Sequence, residues 1–467
     1  MRLDMKLNRI MIAAPKSGSG KTTITCALLK ALKNRGEQVV SYKCGPDYID
    51  PMFHEKVIGI PSKNLDTFFT GADVTRELFL KNRTEKDFVV MEGVMGLFDG
   101  LGGIREEGSS YHLAKVTETP IVLVIDAKGM GRSVIPMLAG FLAYDKEHLI
   151  RGVILNKMSK SYYEIIKPMI EDELSIRVLG FLPDQKDIRI ESRHLGLVIP
   201  NELADIQKQL QVISEELETT VDVDAIKHIA EQASALMGTH KGMSGDSYAE
   251  GKKGGRPVIA VAKDEAFCFY YEDNLLMLQE KGAEIIYFSP VHDTKLPDNC
   301  DALLIGGGYP ELYVNELGQN ASMKNAMKKA FDKGMPIVAE CGGFMYLHDA
   351  IIDKNGVSHA MVGVVPATCE YKGKLVRFGY IEIKEKQRYF LLEGELIKGH
   401  EFHYYDSTDN GENCIATKPT TGREYSCVMV GESYWMGFPH LYYPSNPFFA
   451  ENFVKKAEEY KKGKEPV

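Results

Sequence analysis

The sequence predicts an α/β protein with two domains, each built around a mainly parallel sheet, and the first sheet is doubly wound. Short apolar runs alternate with amphipathic stretches in the first half, which is the pattern of parallel strands covered by helices. A length of 467 residues agrees with about two to three domains. The predicted strands of the first half are Ile10–Ala14, Gln38–Tyr42, Phe88–Met91, Ile121–Ile125, Gly152–Leu155 and Val178–Leu182.

A second alternation of the same kind follows a glycine-rich, charged segment in the middle of the chain. That segment, residues 238–256, has too few apolar side chains to form a core and is predicted to be a linker. We therefore expect one domain at 1–237 and another at 257–467. The predicted strands of the second domain are Val258–Val261, Glu284–Phe288, Ala302–Ile305, Ile337–Ala339 and a last one near Trp435–His440.

Composition excludes several classes of protein. A formal net charge of −9 argues against a nucleic-acid-binding protein, because a phosphate backbone requires a positive face. No apolar run approaches the roughly 20 residues of a membrane helix, and no signal-type core follows Met1, so we expect a cytoplasmic protein. The eight cysteines form no Cys-x-x-Cys pair, which indicates neither disulfides nor a zinc site. We expect all of them except Cys341 to be small buried residues.

A phosphate-binding loop is the strongest motif of the first half. Residues 14–23 follow an apolar run and precede a helix-like segment. Gly18 and Gly20 allow the backbone to curl so that its N–H groups face phosphate oxygens, beside the positive end of the following helix. Lys21 is placed to neutralise the β- and γ-phosphates of ATP, and the Thr22 hydroxyl is placed to bind Mg²⁺.

The loop departs from the usual pattern at its start, where Ala14-Pro15 replaces the leading glycine. Lys16 supplies a second cation, and in this the loop resembles those of the nitrogenase iron protein and dethiobiotin synthetase. Thr23 completes the set of loop residues expected to bind the nucleotide. Whether Lys16 acts within its own chain or across a homodimer is open, and the alternative for the whole motif is a glycine-rich turn without a ligand.

Acidic residues follow two of the predicted strands. Asp47 comes after Gln38–Tyr42, and Glu92 stands at the tip of Phe88–Met91. Ligands bind at the carboxyl ends of the strands in such sheets, so Thr22, Asp47 and Glu92 are predicted to form a Mg²⁺ site. Each acid taken alone is more often a turn or capping residue.

Three further positions follow strands or glycine-spaced loops in the same half. Asp99 lies in a loop that could close over substrate, or it is a solvated turn residue. Arg132 could pair with a substrate carboxylate or phosphate, or be an exposed structural arginine. Asn156, followed by Lys157, occupies a place where nucleotide bases are often recognised.

Cys341 is the strongest candidate of the second half, because it stands between a predicted strand and a glycine-rich turn. This arrangement describes a nucleophile elbow, in which the helix N-terminus that follows favours the thiolate. A glycine loop around Gly307 is placed to stabilise an oxyanion. His440 is the predicted base, ahead of His400 and His403, which we interpret as shaping the domain interface or the acceptor pocket.

Four blocks of the sequence are similar to the cobyrinic acid a,c-diamide synthase family. They are Lys43-Cys-Gly-Pro-Asp-Tyr-Ile-Asp-Pro51, Glu92-Gly-Val-Met-Gly-Leu-Phe-Asp-Gly100, Gly307-Gly-Tyr-Pro-Glu311 and Ala339-Glu-Cys-Gly-Gly343. The resemblance covers both halves. It implies a dethiobiotin-synthetase-like nucleotide domain joined to a class I glutamine amidotransferase domain, with ATP, glutamine and a tetrapyrrole carboxylate as substrates.

Carried over by position, the resemblance implies that Cys341 is the glutaminase nucleophile and His440 its base. It places Asp47, Glu92 and Asp99 at the synthetase site, where ATP would convert a carboxylate of the corrinoid precursor into an acyl phosphate that ammonia attacks. Two successive cycles would amidate the c and a acetate groups. Ammonia made at one site must reach the other, so we expect a channel between the domains.

The chain also departs from the family. Tyr442 stands where many relatives have a second histidine, and no acid of the ordinary triad follows His440. We therefore expect either a Cys–His dyad or an orienting residue that the sequence does not identify, and slow glutamine hydrolysis until the acceptor site is filled. Two alternatives stay open: the same chemistry on hydrogenobyrinic acid or nickel-sirohydrochlorin, and a nucleotide-switch ATPase whose amidotransferase domain is inactive.

Overall fold

A computed structural model describes residues 2–184, 200–239 and 255–464 of the chain. The chain divides into two compact units, Met1–Gly242 and Met243–Val467. Most of the predicted linker, residues 240–254, lies outside the described residues, and the domain limits stay a prediction. Among the described residues, no helix combines the length and the apolar composition needed to cross a lipid bilayer.

The first unit contains a seven-stranded sheet in which every pairing is parallel, as predicted. Its order is β4-β3-β5-β2-β6-β7-β8, and the central strands are buried on both faces. All six predicted strands are present. The strands of this unit are β1 (Arg2–Met5), β2 (Asn8–Ala13), β3 (Gln38–Cys44), β4 (Ser62–Leu65), β5 (Asp87–Glu92), β6 (Ile121–Asp126), β7 (Ile150–Asn156), β8 (Arg177–Leu182) and β9 (Leu236–Thr239).

Helices cover this sheet, as the doubly wound prediction requires. The core that α1, α7 and α8 share with the sheet contains Ile12, Leu28 and Ile213, each fully buried, and burying one such side chain stabilises the fold by about 1.5–3 kcal/mol. The helices are α1 (Lys21–Asn34), α2 (Ile49–Phe53), α3 (Ala72–Leu80), α4 (Ser110–Val116), α5 (Val134–Tyr144), α6 (Lys160–Leu174), α7 (Pro200–Thr220) and α8 (Val223–Glu231), with a π-helical turn at His54–Ile58 and a 3₁₀ turn at Leu101–Gly103.

The first two residues of the predicted linker belong to a strand. Residues 238 and 239 lie in β9, which pairs with β1 in an antiparallel two-stranded sheet. Arg2 lies opposite Thr239 and Met5 opposite Leu236. The ladder holds the end of the first unit to its beginning, a long-range pairing that local composition does not reveal.

The second unit is built on a six-stranded sheet of order β12-β10-β13-β15-β25-β24, parallel except for the last strand. Its strands are β10 (Val258–Ala262), β11 (Phe267–Phe269), β12 (Glu284–Phe288), β13 (Ala302–Ile305), β14 (Gly307–Gly308), β15 (Ile337–Glu340), β16 (His348–Ile352), β17 (Ser358–Ala360), β18 (Val365–Tyr371), β19 (Arg377–Glu385), β20 (Leu396–His403), β21 (Tyr405–Ser407), β22 (Cys414–Thr417), β23 (Glu424–Cys427), β24 (Met429–Val430), β25 (Tyr434–Gly437) and β26 (His440–Leu441).

Three further sheets among the described residues of this unit were not predicted. One has the order β23-β22-β19-β20-β26 and is antiparallel throughout, another has the order β17-β16-β18-β21, and the third pairs β11 with β14. The helices are α9 (Glu272–Glu280), α10 (Val314–Gln319), α11 (Ala321–Asp332), α12 (Gly342–Leu347) and α13 (Pro447–Lys464), with 3₁₀ turns at Pro310–Leu312 and Tyr443–Ser445.

The cysteines follow the prediction with one exception. All eight are free thiols, and seven of them, Cys341 included, are buried. Cys268, which we expected to be buried, is only half-buried.

Candidate active sites

The phosphate loop connects β2 to α1 at the carboxyl edge of the first sheet. Gly18 and Gly20 have φ angles of 77° and 94°, in the left-handed region that glycine adopts without strain. A Cβ atom at Gly20 would lie 2.1 Å from Nδ2 of Asn156, so this position also needs glycine for lack of space. The loop therefore has the backbone form that phosphate binding requires.

Lys21 is buried at the start of α1, and its ammonium group lies under the loop. Its Nζ donates to the carbonyl oxygens of Lys16, at 3.2 Å, and of Met95, at 2.6 Å. Burial lowers the pKa of Lys21 to about 8, and the charge of Lys43 acts in the same direction. Thr22 and Thr23 follow in the first turn, both half-buried.

Glu92, fully buried at the end of β5, is the centre of a polar network. It accepts hydrogen bonds from the Thr22 hydroxyl at 2.6 Å and from Lys43 Nζ at 2.9 Å, and Nε2 of His54 lies 3.4 Å from its other oxygen. Lys43 also pairs with Asp50. Burial raises the pKa of Glu92, but Lys43, His54 and Thr22 together outweigh it and hold the carboxyl well below its ordinary range.

Sequence reasoning did not assign roles to Lys43, Asp50 or His54. The signal for the first two was present, since both belong to the segment that contains Asp47. His54 stands in a π-helical turn, and its Nδ1 is 2.8 Å from the hydroxyl of Ser41. Nothing in the local sequence marks it, because its partner Glu92 comes from a distant strand.

Asp47 and Asp99 both lie at this site. Asp47 accepts a hydrogen bond from the backbone N–H of Ile49 at 2.9 Å, and its charge acts on Lys43. Asp99 accepts from the N–H of Gly96 at 3.1 Å, and its charge acts on Lys21. The structure thus places Asp99 near Lys21 of the phosphate loop and Asp47 near Lys43, which binds Glu92. Their catalytic roles stay predictions.

The residues at the predicted magnesium site fit that ion by the chemistry of their donors. The Thr22 hydroxyl and the Glu92 carboxylate are adjacent oxygen donors, the kind that Mg²⁺ prefers. The described residues contain no group of three or more His, Cys, Asp or Glu side chains arranged to hold a metal. With nucleotide bound, Mg²⁺ here would complete its coordination with phosphate oxygens and water, as it usually does.

The structure places Asn156 under the loop. Its Nδ2 donates to the carbonyl oxygen of Ser19 at 2.9 Å, and its Oδ1 accepts from the N–H of Lys157. The side chain thus positions the phosphate loop, which we did not predict, and recognition of the base by Asn156 stays a prediction. Lys157 pairs with Asp126 at 2.7 Å.

Arg132 is an exposed ion-pair partner in this structure. Its guanidinium is 2.8 Å from Glu173, and both side chains are on the surface, exposed by 66% and 40%. Of the two interpretations of Arg132, these contacts favour the structural one. Exposed pairs of this kind contribute about 0–1 kcal/mol to stability.

Cys341 occupies the sharp turn between β15 and α12, as predicted for a nucleophile elbow. Its backbone has φ 47° and ψ −103°, a conformation that costs a non-glycine residue of order 1–3 kcal/mol. Backbone hydrogen bonds hold the turn in place: the Cys341 N–H donates to Gly437 O at 2.8 Å, and the Gly343 N–H to Gly306 O at 3.0 Å.

The glycine loop after β13 contacts both the elbow and the predicted base. A Cβ atom at Gly307 would lie 2.3 Å from Cε1 of His440, so the imidazole packs directly on this glycine. A Cβ atom at Gly342, next to Cys341, would lie 3.2 Å from the backbone N of Gly308. The loop therefore contacts both His440 and the residue that follows Cys341, with backbone N–H groups beside them that can stabilise an oxyanion.

His440 follows β25, the strand that neighbours β15, so Cys341 and His440 come from adjacent strand ends. It then pairs with His400 across β26 and β20, and the two rings stack with centroids 4.9 Å apart. Burial lowers the pKa of His440 to about 3, and His403 acts in the same direction while Glu401 opposes it. The imidazole is therefore neutral at physiological pH and able to accept a proton.

His400 and His403 are both buried, His400 stacked on His440 and His403 stacked on Phe438 with centroids 4.0 Å apart. Both rings thus pack among residues around the predicted base, and their roles at the domain interface or the acceptor pocket stay predictions. The fully buried Glu401 between them, which sequence reasoning did not single out, receives hydrogen bonds from Arg377 at 3.4 Å and from Tyr425.

The helix N-terminus favours the Cys341 thiolate, as expected, but burial outweighs it. Burial raises the pKa of the Cys341 thiol well above its ordinary value, and Glu311, Glu401 and Glu340 raise it further. The N–H of Gly342 and the short helix α12, of six residues, do not compensate. The resting pair is therefore a neutral thiol beside a neutral imidazole.

This protonation state predicts how Cys341 reacts with iodoacetamide. Because only the thiolate reacts, the alkylation rate should rise about tenfold per pH unit between roughly pH 7 and 9, without a plateau. The measurement is the mass of the Cys341 peptide against time, with a Cys341→Ser variant as blank. A rate that does not change with pH across this range would show a preformed thiolate–imidazolium pair and contradict the prediction.

Comparison with known proteins finds a family match for each half of the chain. Residues 10–198 match the CobQ/CobB/MinD/ParA nucleotide binding domain, and residues 258–434 match the CobB/CobQ-like glutamine amidotransferase domain. Proteins named cobyrinate a,c-diamide synthase are similar over almost the whole chain. The protein of Caldanaerobacter subterraneus subsp. tengcongensis is 39% identical over 92% of this chain and 94% of its own length.

Two further relatives carry the same name. The protein of Dehalococcoides mccartyi is 37% identical over 97% of this chain and 98% of its own length. The protein of Thermoplasma volcanium is 38% identical over 99% of this chain and 100% of its own length. The fold, the two sites and these similarities define a glutamine-dependent, amide-forming ligase that uses ATP. The chain belongs to the cobyrinate a,c-diamide synthase family.

Proposed function

We propose that this protein amidates the a and c acetate carboxylates of cobyrinate, with ammonia from glutamine and activation by ATP. The observation that carries the proposal is the presence in one chain of a complete phosphate loop and a nucleophile elbow beside a histidine, along with similarity to cobyrinate a,c-diamide synthases over the full length. Mg²⁺, a homodimer and a cytoplasmic location stay predictions.

In the glutaminase half, we assign the nucleophile to Cys341 and the base to His440. The thiol proton passes to Nε2 or Nδ1 of the neutral imidazole as sulfur attacks the side-chain amide carbon of glutamine. Backbone N–H groups of the Gly307–Gly308 loop stabilise the oxyanion. His440 then gives the proton to the departing ammonia, and water hydrolyses the thioester to release glutamate.

In the synthetase half, a carboxylate of the acceptor attacks the γ-phosphorus of ATP and gives an acyl phosphate and ADP. Lys21 and Lys16 are placed to balance the phosphate charge, and the loop N–H groups orient it. Mg²⁺ held by Thr22 and Glu92 would neutralise further charge on the phosphates when bound. Ammonia then displaces phosphate from the acyl carbon to form the amide.

The test is amidation of cobyrinate by the purified chain with Mg-ATP and glutamine, followed by mass spectrometry. We expect two successive mass changes, each corresponding to conversion of one carboxylate into an amide, with one ADP and one glutamate released per amide. The same assay with hydrogenobyrinic acid and nickel-sirohydrochlorin separates the alternative acceptors. ATP hydrolysis with no glutamate release under any of these conditions would instead indicate the nucleotide-switch ATPase.

A further inference from the structure

A carboxylate that neither half reaction has used lies beside the nucleophile. Glu311 stands in the 3₁₀ turn Pro310–Leu312, which continues the glycine loop after β13. A Cβ atom at Gly342 would lie 2.9 Å from Cδ of Pro310. The turn that carries Glu311 therefore packs on the residue that follows Cys341.

The charge of Glu311 acts on two side chains near the elbow. It raises the pKa of the Cys341 thiol more than the charge of Glu340 does, although Glu340 directly precedes Cys341 in the chain. It also raises the pKa of the Tyr405 hydroxyl. The Glu311 carboxylate is therefore near enough to both residues for its charge to act on them.

Glu311 lacks a cationic partner in the described part of the chain. Its carboxylate accepts one hydrogen bond there, from its own backbone N–H, although the residue is partly buried. Burial raises the pKa of Glu311 to about 7. A carboxylate taken out of water is usually paired, because the loss of hydration otherwise disfavours its charge. A bound cation would supply that pairing.

We propose that Glu311 binds the α-ammonium group of glutamine while Cys341 attacks the amide at the other end of the molecule. Glutamine carries its ammonium group a short aliphatic chain away from the amide carbon, so a carboxylate next to the elbow can hold it. The same loop contacts the amide end through Gly307 and Gly308. This inference deepens the proposed glutaminase step and rests on it, and it makes Glu311 a determinant of selectivity for α-amino acids over simple amides.

The substitution Glu311→Gln in the full chain tests the proposal, with glutamate release as the readout. We expect kcat/KM for glutamine to fall about 10- to 100-fold, as for loss of a charge-assisted hydrogen bond, mainly through KM. Hydrolysis of glutaramate, the amide without the amino group, should change little. Glu316→Gln, an exposed acid on α10, is the matched control and should behave as wild type.

Covalent labelling of Cys341 tests the role of Glu311 without turnover, so it applies even if glutamine hydrolysis is slow. A diazoketone analogue of glutamine should react more slowly with Glu311→Gln than with wild type. Iodoacetamide has no ammonium group. It should react with Glu311→Gln at least as fast as with wild type, because removal of a negative charge favours the thiolate. Equal slowing with both reagents, or unchanged kinetics with glutamine, would overturn the proposal. Neither glutamate release nor labelling of Cys341 requires the macrocycle. A negative result for Glu311 can therefore be told apart from an error in the proposed acceptor.

Discussion

Replacing Cys341 with serine should abolish glutamine-dependent amidation and leave ammonia-dependent amidation intact. The hydroxyl is a much weaker nucleophile than the thiolate that forms during attack, so glutamate release should fall at least roughly 1,000-fold. With an ammonium salt at alkaline pH, product formation should stay within about twofold of wild type, because the phosphate-loop residues belong to the other unit.

A second cysteine of the same sheet provides the matched control. Cys300 is buried and lies before the amino end of β13. Cys341 lies after the carboxyl end of the neighbouring parallel strand β15, so the two cysteines are at opposite ends of the strands. Cys300→Ser should retain both activities. Loss of the ammonia-dependent reaction in Cys341→Ser, with folding unchanged by circular dichroism, would contradict the separation of the two half reactions.

The parts of the fold that the sequence predicts are those buried on both faces. Strands such as β5 and β6 are continuous apolar runs and were placed within one or two residues. The antiparallel strands β19 and β20 were missed because their residues alternate in exposure and include the exposed aromatic rings of Phe378 and Phe402.

Two separate strands lie where one strand was predicted near Trp435–His440 at the end of the second domain. β25 ends at Gly437, and β26 begins at His440 in a different sheet. Pro439 stands between them and lacks the N–H that a continuous ladder would need. The break places His440 at the junction of the two sheets, where it reaches the elbow of the first and pairs with β20 of the second.

Sequence reasoning found the site residues that follow strands and missed those that depend on packing. Lys21, Glu92 and Cys341 stand where parallel strands end, a rule that sequence alone can apply. His54 and Glu401 act through partners far away in the chain, and no local pattern marks them. For the same reason, the sequence could not show that burial and the surrounding acids disfavour the Cys341 thiolate, since both are properties of the folded unit.

Replacing Lys21 with methionine should remove ATP-dependent amidation with either nitrogen source. The Lys21 ammonium now donates to two backbone carbonyls, and with nucleotide bound it would turn to phosphate oxygens. Loss of one such charge at the transferring phosphoryl group should lower the rate about 100- to 1,000-fold. The assay is ADP release with cobyrinate and ammonium, and glutamate release without ATP should be unchanged.

Two further variants separate the charge of Lys21 from its geometry. Lys128→Met, at a lysine after β6 whose side chain is 66% exposed and paired with Asp184, should keep full activity. Lys21→Arg should stay inactive although it keeps the charge, because a planar guanidinium does not fit the buried space where the compact ammonium meets the carbonyls of Lys16 and Met95. Recovery in Lys21→Arg would mean that charge alone suffices. An active Lys21→Met would move the phosphate-binding role to Lys16, which stands at the other end of the same loop.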